Sequence, residues 1–197
     1  MCATAYPVGM DAPIDALIAS DGLVGLRRFS ANDVEAISSA CNDPDITRWT
    51  SIPSPYTTDF AQLFVTLTDT WRHDGTAFHF AVVDARDGNF LGSVGLDSVE
   101  HPPALVGYWV APWARRRGVA TGALRLMTTW AFETLPLGSI DLLTKVGNEL
   151  SERVAVGAGY TFCAEAAHPS DVVQSSRTVV RRWTRTRMDT SNGTVNV

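Results

Sequence analysis

Arg115, Arg116 and Arg117 stand together in GYWVAPWARRRGVATGAL, residues 107–124, directly after an apolar stretch and directly before a glycine and a helical pattern. A chain that turns from a strand straight into a helix presents backbone N–H groups with no partner inside the helix, at the positive end of its dipole. Such a corner binds anions. Gly118 lets the backbone come close to a ligand, Ala120 and Gly122 keep the first turn small, and the arginines add charge where a pyrophosphate would sit. The loop has neither the G-x-x-x-x-G-K-[ST] of a nucleotide hydrolase nor the G-x-G-x-x-G of a dinucleotide fold, and an arginine triplet alone also suits a solvated surface. Further on, Asn148 opens a short helical stretch that it is suited to cap, with Ser151 a polar residue of the first turn.

The rest of the chain must hold that corner in place. With 197 residues and 45% hydrophobic content, it is long enough to bury one core without disulfides or metal. Residues 23–187 read as one domain, between a lead-in at 1–22 and a polar tail at 188–197. Cys2, Cys41 and Cys163 are odd in number and scattered, which suggests neither a disulfide framework nor a metal cluster and fits a reducing cytoplasm. No stretch has the apolar length of a membrane span. A net charge of −5 disfavours a nucleic-acid surface and suits a cationic partner such as an amine.

The periodicity predicts the order β-α-α-β-β-β-α-β-α-β-β. LVGLRRF is the first strand, and Ser30 with Asp33 starts a helix reaching about Cys41. ITRWTSIPSPYT, with two prolines, reads as a loop. Thr58 then caps a helix carrying Phe60, Leu63, Phe64, Leu67 and Trp71 on one side, ended by Gly75. AFHFAVVD and NFLGSVGLDSV are strands joined by ARDG, whose Asp-Gly pair suits a tight hairpin. ALVGYWV is apolar throughout and therefore central. Ala120, Ala123, Leu124, Met127 and Ala131 place a helix over 117–134, followed by the strand SIDLLTKV, a helix from Asn148 to about Ala158, and the strands YTFCAE and TVVRRWTRTR. The arginines of the last segment interleave with Val179, Val180 and Trp183 as on a charged edge strand.

Arg115-x-x-Gly118-x-Ala120 matches the [QR]-x-x-G-x-[GA] signature of the GNAT N-acetyltransferase superfamily, and it lies where that signature belongs, between the fourth strand and the next helix. Together with LRRFSANDVEAISSACNDPDITRW, GNFLGSVGL and VGNELSERVAVGAGYTF, it resembles the ribosomal-protein N-terminal acetyltransferase (Rim-type) branch over about residues 23–187. The resemblance implies an α+β fold with a mixed, mostly antiparallel central sheet flanked by helices, its fourth and fifth strands splayed to admit the coenzyme arm. It implies acetyl-CoA as co-substrate, with no metal, and a homodimer. The backbone from Arg116 through Gly118, Val119, Ala120 and Thr121 would bind the pyrophosphate, Arg115 and Arg117 would bracket its phosphates, and backbone groups of Trp109 and Val110 would meet the pantetheine arm. Asn148 would contact that arm, and Ser151 would face the thioester sulfur, where a hydroxyl can assist the leaving thiolate. Trp49, Pro53, Pro55 and Tyr56 fall in a segment that walls the acceptor site.

The sequence departs from those relatives at one point. Many carry a glutamate two residues before the G-Y of the fourth strand, and here the residue before Val106-Gly107-Tyr108 is Leu105. Asp97, Glu100 and His101 are close in sequence and can act through water, or are solvated residues of a strand end. A terminal amine, with a free pKa of about 7.7–8.0 against about 10.4 for lysine, needs less help from a base. The expected reaction is therefore acetyl transfer to a primary amine, most simply a protein or peptide N-terminus. A polyamine, amino acid or aminoglycoside, a non-catalytic acyl-CoA sensor, and an RNA binder using Arg177 to Arg187 are the alternatives.

Overall fold

The computed structural model describes residues 16–167 and 179–187. Its strands are β1 Ala19–Ser20, β2 Val24–Arg27, β3 Phe78–Asp84, β4 Phe90–Asp97, β5 Ala104–Val110, β6 Ser139–Lys145, β7 Thr161–Ala167 and β8 Val179–Thr186. Its helices are α1 Val34–Cys41, α2 Pro44–Trp49, α3 Thr58–Asp74, α4 Val119–Thr134 and α5 Glu149–Gly157. The eight strands form one sheet in the order β1-β2-β3-β4-β5-β6-β8-β7. Every neighbouring pair is antiparallel except β5 with β6.

Each face of the sheet has its own core, because side chains alternate along a strand. Phe78, Phe80 and Val82 pack with Leu124, Met127 and Ala131 of α4, and Trp130 meets the rings of Phe78 and Phe80 edge-on at 5.2 and 4.9 Å. On the other face Ala81 and Val83 pack with Phe29, Ile37, Tyr56 and Ala61 under α1 and α3. The Ser30–Asp33 capping box forms as the spacing predicts. Asp33 is buried and also takes a two-pronged ion pair from Arg27, at 2.7 and 2.8 Å. Removing one partner of such a pair strands a buried charge, so Asp33→Ala is expected to cost about 3–5 kcal/mol in a urea unfolding titration.

Five expectations change. The end of the lead-in is a strand, since Ala19 and Ser20 pair with Leu26 and Gly25; residues 1–15 and the tail 188–197 lie outside the described residues. The segment after Asn42 is partly helical, because Asp43 accepts from the N–H groups of Asp45 and Ile46 and Pro44 fits the first helical position. Thr57, rather than Thr58, caps α3, and the buried stripe of that helix runs through Ala61 and Thr68, leaving Phe60 and Leu63 exposed. Thr68 is tolerated there because its hydroxyl donates to the Val65 carbonyl at 2.7 Å. The β3–β4 connection is longer than a two-residue hairpin, with Gly88 alone adopting positive φ (+74°). Finally, β8 is interior, between β6 and β7: Arg181 pairs with Glu152 and Glu165, Arg185 donates to a backbone carbonyl, as does Arg187 just after the strand, and Arg182 stays half-exposed.

Candidate active site

β5 and β6 pair only at Ala104–Ile140, Leu105–Asp141 and Val106–Leu142. Beyond that point Gly107–Val110 stays with β4 and Leu143–Lys145 stays with β8, so the two strands diverge. The side of β5 that faces β6 is left with no strand partner there. The wedge opens into a cleft of about 1010 Å³ that reaches from the arginine–glycine corner to the face under α1 and α3. Helix α2 walls it and is held at both ends: Arg115 bonds Asp43 and, at 3.2 Å, Asp45, while Lys145 Nζ donates to the carbonyls of Arg48 and Thr50, each at 3.0 Å.

At the corner, Arg116 (φ +61°) and Gly118 (φ +76°) are both left-handed, which turns the chain abruptly into α4. A Cβ built on Gly118 would meet nothing within 4 Å. The first bond within the helix runs from Gly122 N–H to the Gly118 carbonyl, and Gly118 brings no side-chain cap. The N–H groups of Val119, Ala120 and Thr121 thus precede the helical ladder, with open space beside them. Val119 is buried and anchors the turn, while Ala120 and Thr121 line the cleft. The three arginines divide their work. Arg115 braces α2, and Arg117 pairs at 2.9 Å with Asp84, whose carboxyl is held well below the usual range chiefly by Arg86 and also by Arg117. Arg116 lines the cleft and has no carboxylate partner among the described residues.

Asn148 caps α5, its side-chain oxygen accepting from Ser151 N–H at 3.2 Å, and both residues line the cleft. Ser151 Oγ lies 2.8 Å from the hydroxyl of Tyr108 on β5. Burial pushes the Tyr108 phenol up to about 12, against the opposing effect of the Ser151 hydrogen bond, so it stays a neutral donor at physiological pH. Trp109 packs its ring on Phe90 at a 5.8 Å centroid distance, so its side chain is structural while its backbone and that of Val110 border the splay. Asp97 lines the cleft and bonds His79 Nε2 at 2.9 Å, whereas Glu100 and His101 sit in the following turn, outside the lining. Tyr108 and His79 are site residues that the sequence reading did not single out. Each carried a signal: Tyr108 follows a glycine in a central strand, and His79 is a lone titratable residue in the apolar run FHFAVV.

Residues 24–161 match the family model of the acetyltransferase (GNAT) domain. The chain belongs to the GNAT acetyltransferase family. Among curated relatives, YdaF of Bacillus subtilis (strain 168), named as a ribosomal N-acetyltransferase, is 34% identical over 76 residues, which is 38% of this chain and 42% of YdaF. That match spans less than half of the relative's length. Among solved structures, RimL, a ribosomal L7/L12 alpha-N-protein acetyltransferase in complex with coenzyme A, superposes with a TM-score of 0.75 at 16% identity, covering 87% of this chain and 98% of that one. The spermidine N-acetyltransferase of Vibrio cholerae, in complex with CoA and spermine, gives 0.68 at 21% identity over 84% and 96% of the two chains. These likenesses establish the fold.

For a GNAT acetyltransferase the co-substrate is acetyl-CoA, and this cleft fits it. A diphosphate can meet the N–H groups after Gly118 in the space beside that residue, and a pantetheine amide can pair with the open side of β5. Among the described residues no cluster of His, Cys, Asp and Glu is arranged to hold a metal ion.

Proposed function

We propose that this chain transfers the acetyl group of acetyl-CoA to the α-amine of a protein or peptide N-terminus, by direct attack of the amine on the thioester. The observation that carries the choice of acceptor is the scarcity of carboxylate in the cleft. Among the described residues, Asp45 and Asp97 are the acidic residues of its lining, and each is already engaged, Asp45 by Arg115 and Asp97 by His79. A polyamine carries several cations and needs several carboxylates, whereas Trp49, Ile52, Tyr56 and Phe64 offer an apolar wall to the end of a peptide. An α-amine, with a pKa of about 7.7–8.0, is also partly unprotonated at neutral pH. The names of YdaF and RimL agree with this acceptor, and that of the spermidine enzyme supplies the alternative.

In this scheme an N–H on the splayed side of β5 polarises the acetyl carbonyl, and Ser151, backed by Tyr108, hydrogen-bonds the departing sulfur. Positioning provides most of the acceleration. The test is thiol release from acetyl-CoA across N-terminal peptides, lysine peptides, spermidine and aminoglycosides. Fastest turnover with N-terminal peptides is expected. Preferential turnover with spermidine would overturn the acceptor, and acetyl-CoA binding without release in any mixture would overturn the activity in favour of a sensor.

A further inference from the structure

Acetyl transfer to an amine creates a positively charged nitrogen that must lose a proton, and the titratable residues that line the cleft among the described residues narrow where that proton goes. Cys41, Tyr56 and Tyr108 are all pushed up to about 12 by burial, so none of them is a base near neutral pH. Arg115, Arg116 and Lys145 are cations, and Asp45 is ion-paired to Arg115. His79 and Asp97 remain, and they are joined.

The strand register shows why they meet. His79 on β3 lies opposite Gly95 on β4, which lies opposite Gly107 on β5; Asp97 lies opposite Leu105. Residues directly opposite one another, or two apart on one strand, share a face of the sheet, so all five are on the side covered by α3. The imidazole lies on Gly95: a Cβ there would come within 2.1 Å of Nδ1. Gly107 is the next residue across, and a Cβ on it would meet nothing within 4 Å. Two glycines therefore leave a track free of side chains from His79 to the stretch of β5 that splays from β6. Phe64 and Trp71 of α3 fix the ring from above, at centroid distances of 5.8 and 5.4 Å. Neither is charged, and Asp97 is the charged partner among the described contacts of the ring.

We propose that His79, oriented by Asp97, is the proton acceptor of the acetyl-transfer step, which makes this inference depend on the acetyltransferase function proposed above. A carboxylate only accepts, so Nε2 carries the hydrogen given to Asp97 and Nδ1 is left with its lone pair; the tautomer is assigned by that partner. The amine nitrogen forms a bond to the acetyl carbon and the carbon–sulfur bond breaks. The proton lost by the nitrogen passes to Nδ1, directly or through one water, and then to solvent. The thiolate leaves hydrogen-bonded to Ser151 on the opposite face and takes its proton from solvent. Base and leaving-group donor thus act from the two sides of the sheet, with the splay between them.

The experiment compares wild type, His79→Gln, Asp97→Asn and the double variant with one N-terminal peptide. It measures kcat, KM, the acetyl-CoA dissociation constant by calorimetry, and the melting midpoint. His79→Gln is expected to lower kcat by about 10²- to 10³-fold with acetyl-CoA affinity unchanged. Asp97→Asn, at an exposed strand end, is expected to lower kcat by a smaller factor, and the double variant to lose no more than His79→Gln, because the two act as a unit. Added imidazole is expected to restore part of kcat to His79→Ala, faster with more basic imidazoles. Unchanged kcat in both single variants, or a loss confined to acetyl-CoA affinity, overturns the assignment while leaving the acetyltransferase reading standing. If His79→Gln does not fold, Asp97→Asn decides, and unchanged kcat in that variant overturns the assignment. A wild type with no turnover on any amine overturns both.

Discussion

Gly118→Glu is expected to weaken acetyl-CoA binding by at least about 10²-fold, equivalent to ~2.7 kcal/mol, while the protein stays folded. The two halves of that expectation have separate causes. A side chain at Gly118 points into open space, so it disturbs no packing, and the left-handed φ of +76° makes the fold pay only the strain of a non-glycine residue, of order 1–2 kcal/mol. That same open space adjoins the N–H groups of Val119, Ala120 and Thr121, which can receive a diphosphate. A carboxylate there occupies the site and repels the ligand. Isothermal calorimetry against acetyl-CoA, with a melting curve beside it, reads both parts. Gly118→Ala separates charge from strain and should cost far less affinity. An unchanged dissociation constant for Gly118→Glu would show that the diphosphate lies elsewhere.

The second large effect is expected at Ser151, where the alanine variant should lower kcat by about 10²- to 10³-fold, the usual loss when one preorganised donor to developing negative charge is removed. Ser151 is held for that task twice over: its N–H is taken by the Asn148 cap, and its hydroxyl is 2.8 Å from Tyr108. Tyr108→Phe should lower kcat less, because Ser151 remains, and the double variant should match Ser151→Ala, because the tyrosine acts through the serine. The pH dependence follows from the same pair. Burial puts the phenol at about 12, so the donor is protonated throughout the neutral range and the pair contributes no fall in kcat as pH rises below that value. Full kcat in Ser151→Ala, or additive losses in the double variant, would remove the pair from the chemistry.

What could be read along the chain is what neighbouring residues decide among themselves. The corner at Arg115–Thr121 was legible because an apolar strand, a glycine and a helical period follow one another within about 20 residues. The Ser30–Asp33 box, the Asn148 cap and the glycine at the end of α3 were legible for the same reason, since a cap is made by a side chain and backbone groups two or three residues away. The α2 helix was obscured by a nearby pair of prolines, although Asp43-Pro44 is itself a start signal. The amphipathic stripe of α3 was legible in part: Phe64 and Trp71 pack inward as their spacing suggests, whereas Phe60 and Leu63 are exposed and Thr68 is buried, its hydroxyl bonded to the Val65 carbonyl.

The chain alone therefore determined the class of fold, the glycine corner that opens α4 and the cap that presents Ser151, all from residues within a few positions of one another. The tertiary structure decided which groups face each other across the cleft. Tyr108 reaches Ser151 from 43 positions away, Arg115 reaches Asp43 and Asp45 from about 70, and His79 meets Asp97 only in the register that stacks it on Gly95. It also placed β8 inside the sheet, where Arg181 meets Glu152 and Glu165 and Arg185 meets a backbone carbonyl. Strand register and order are set by how two hydrophobic faces pack against helices far away in sequence, and a shift of one residue in β3 or β5 would turn His79 or Tyr108 to the other face.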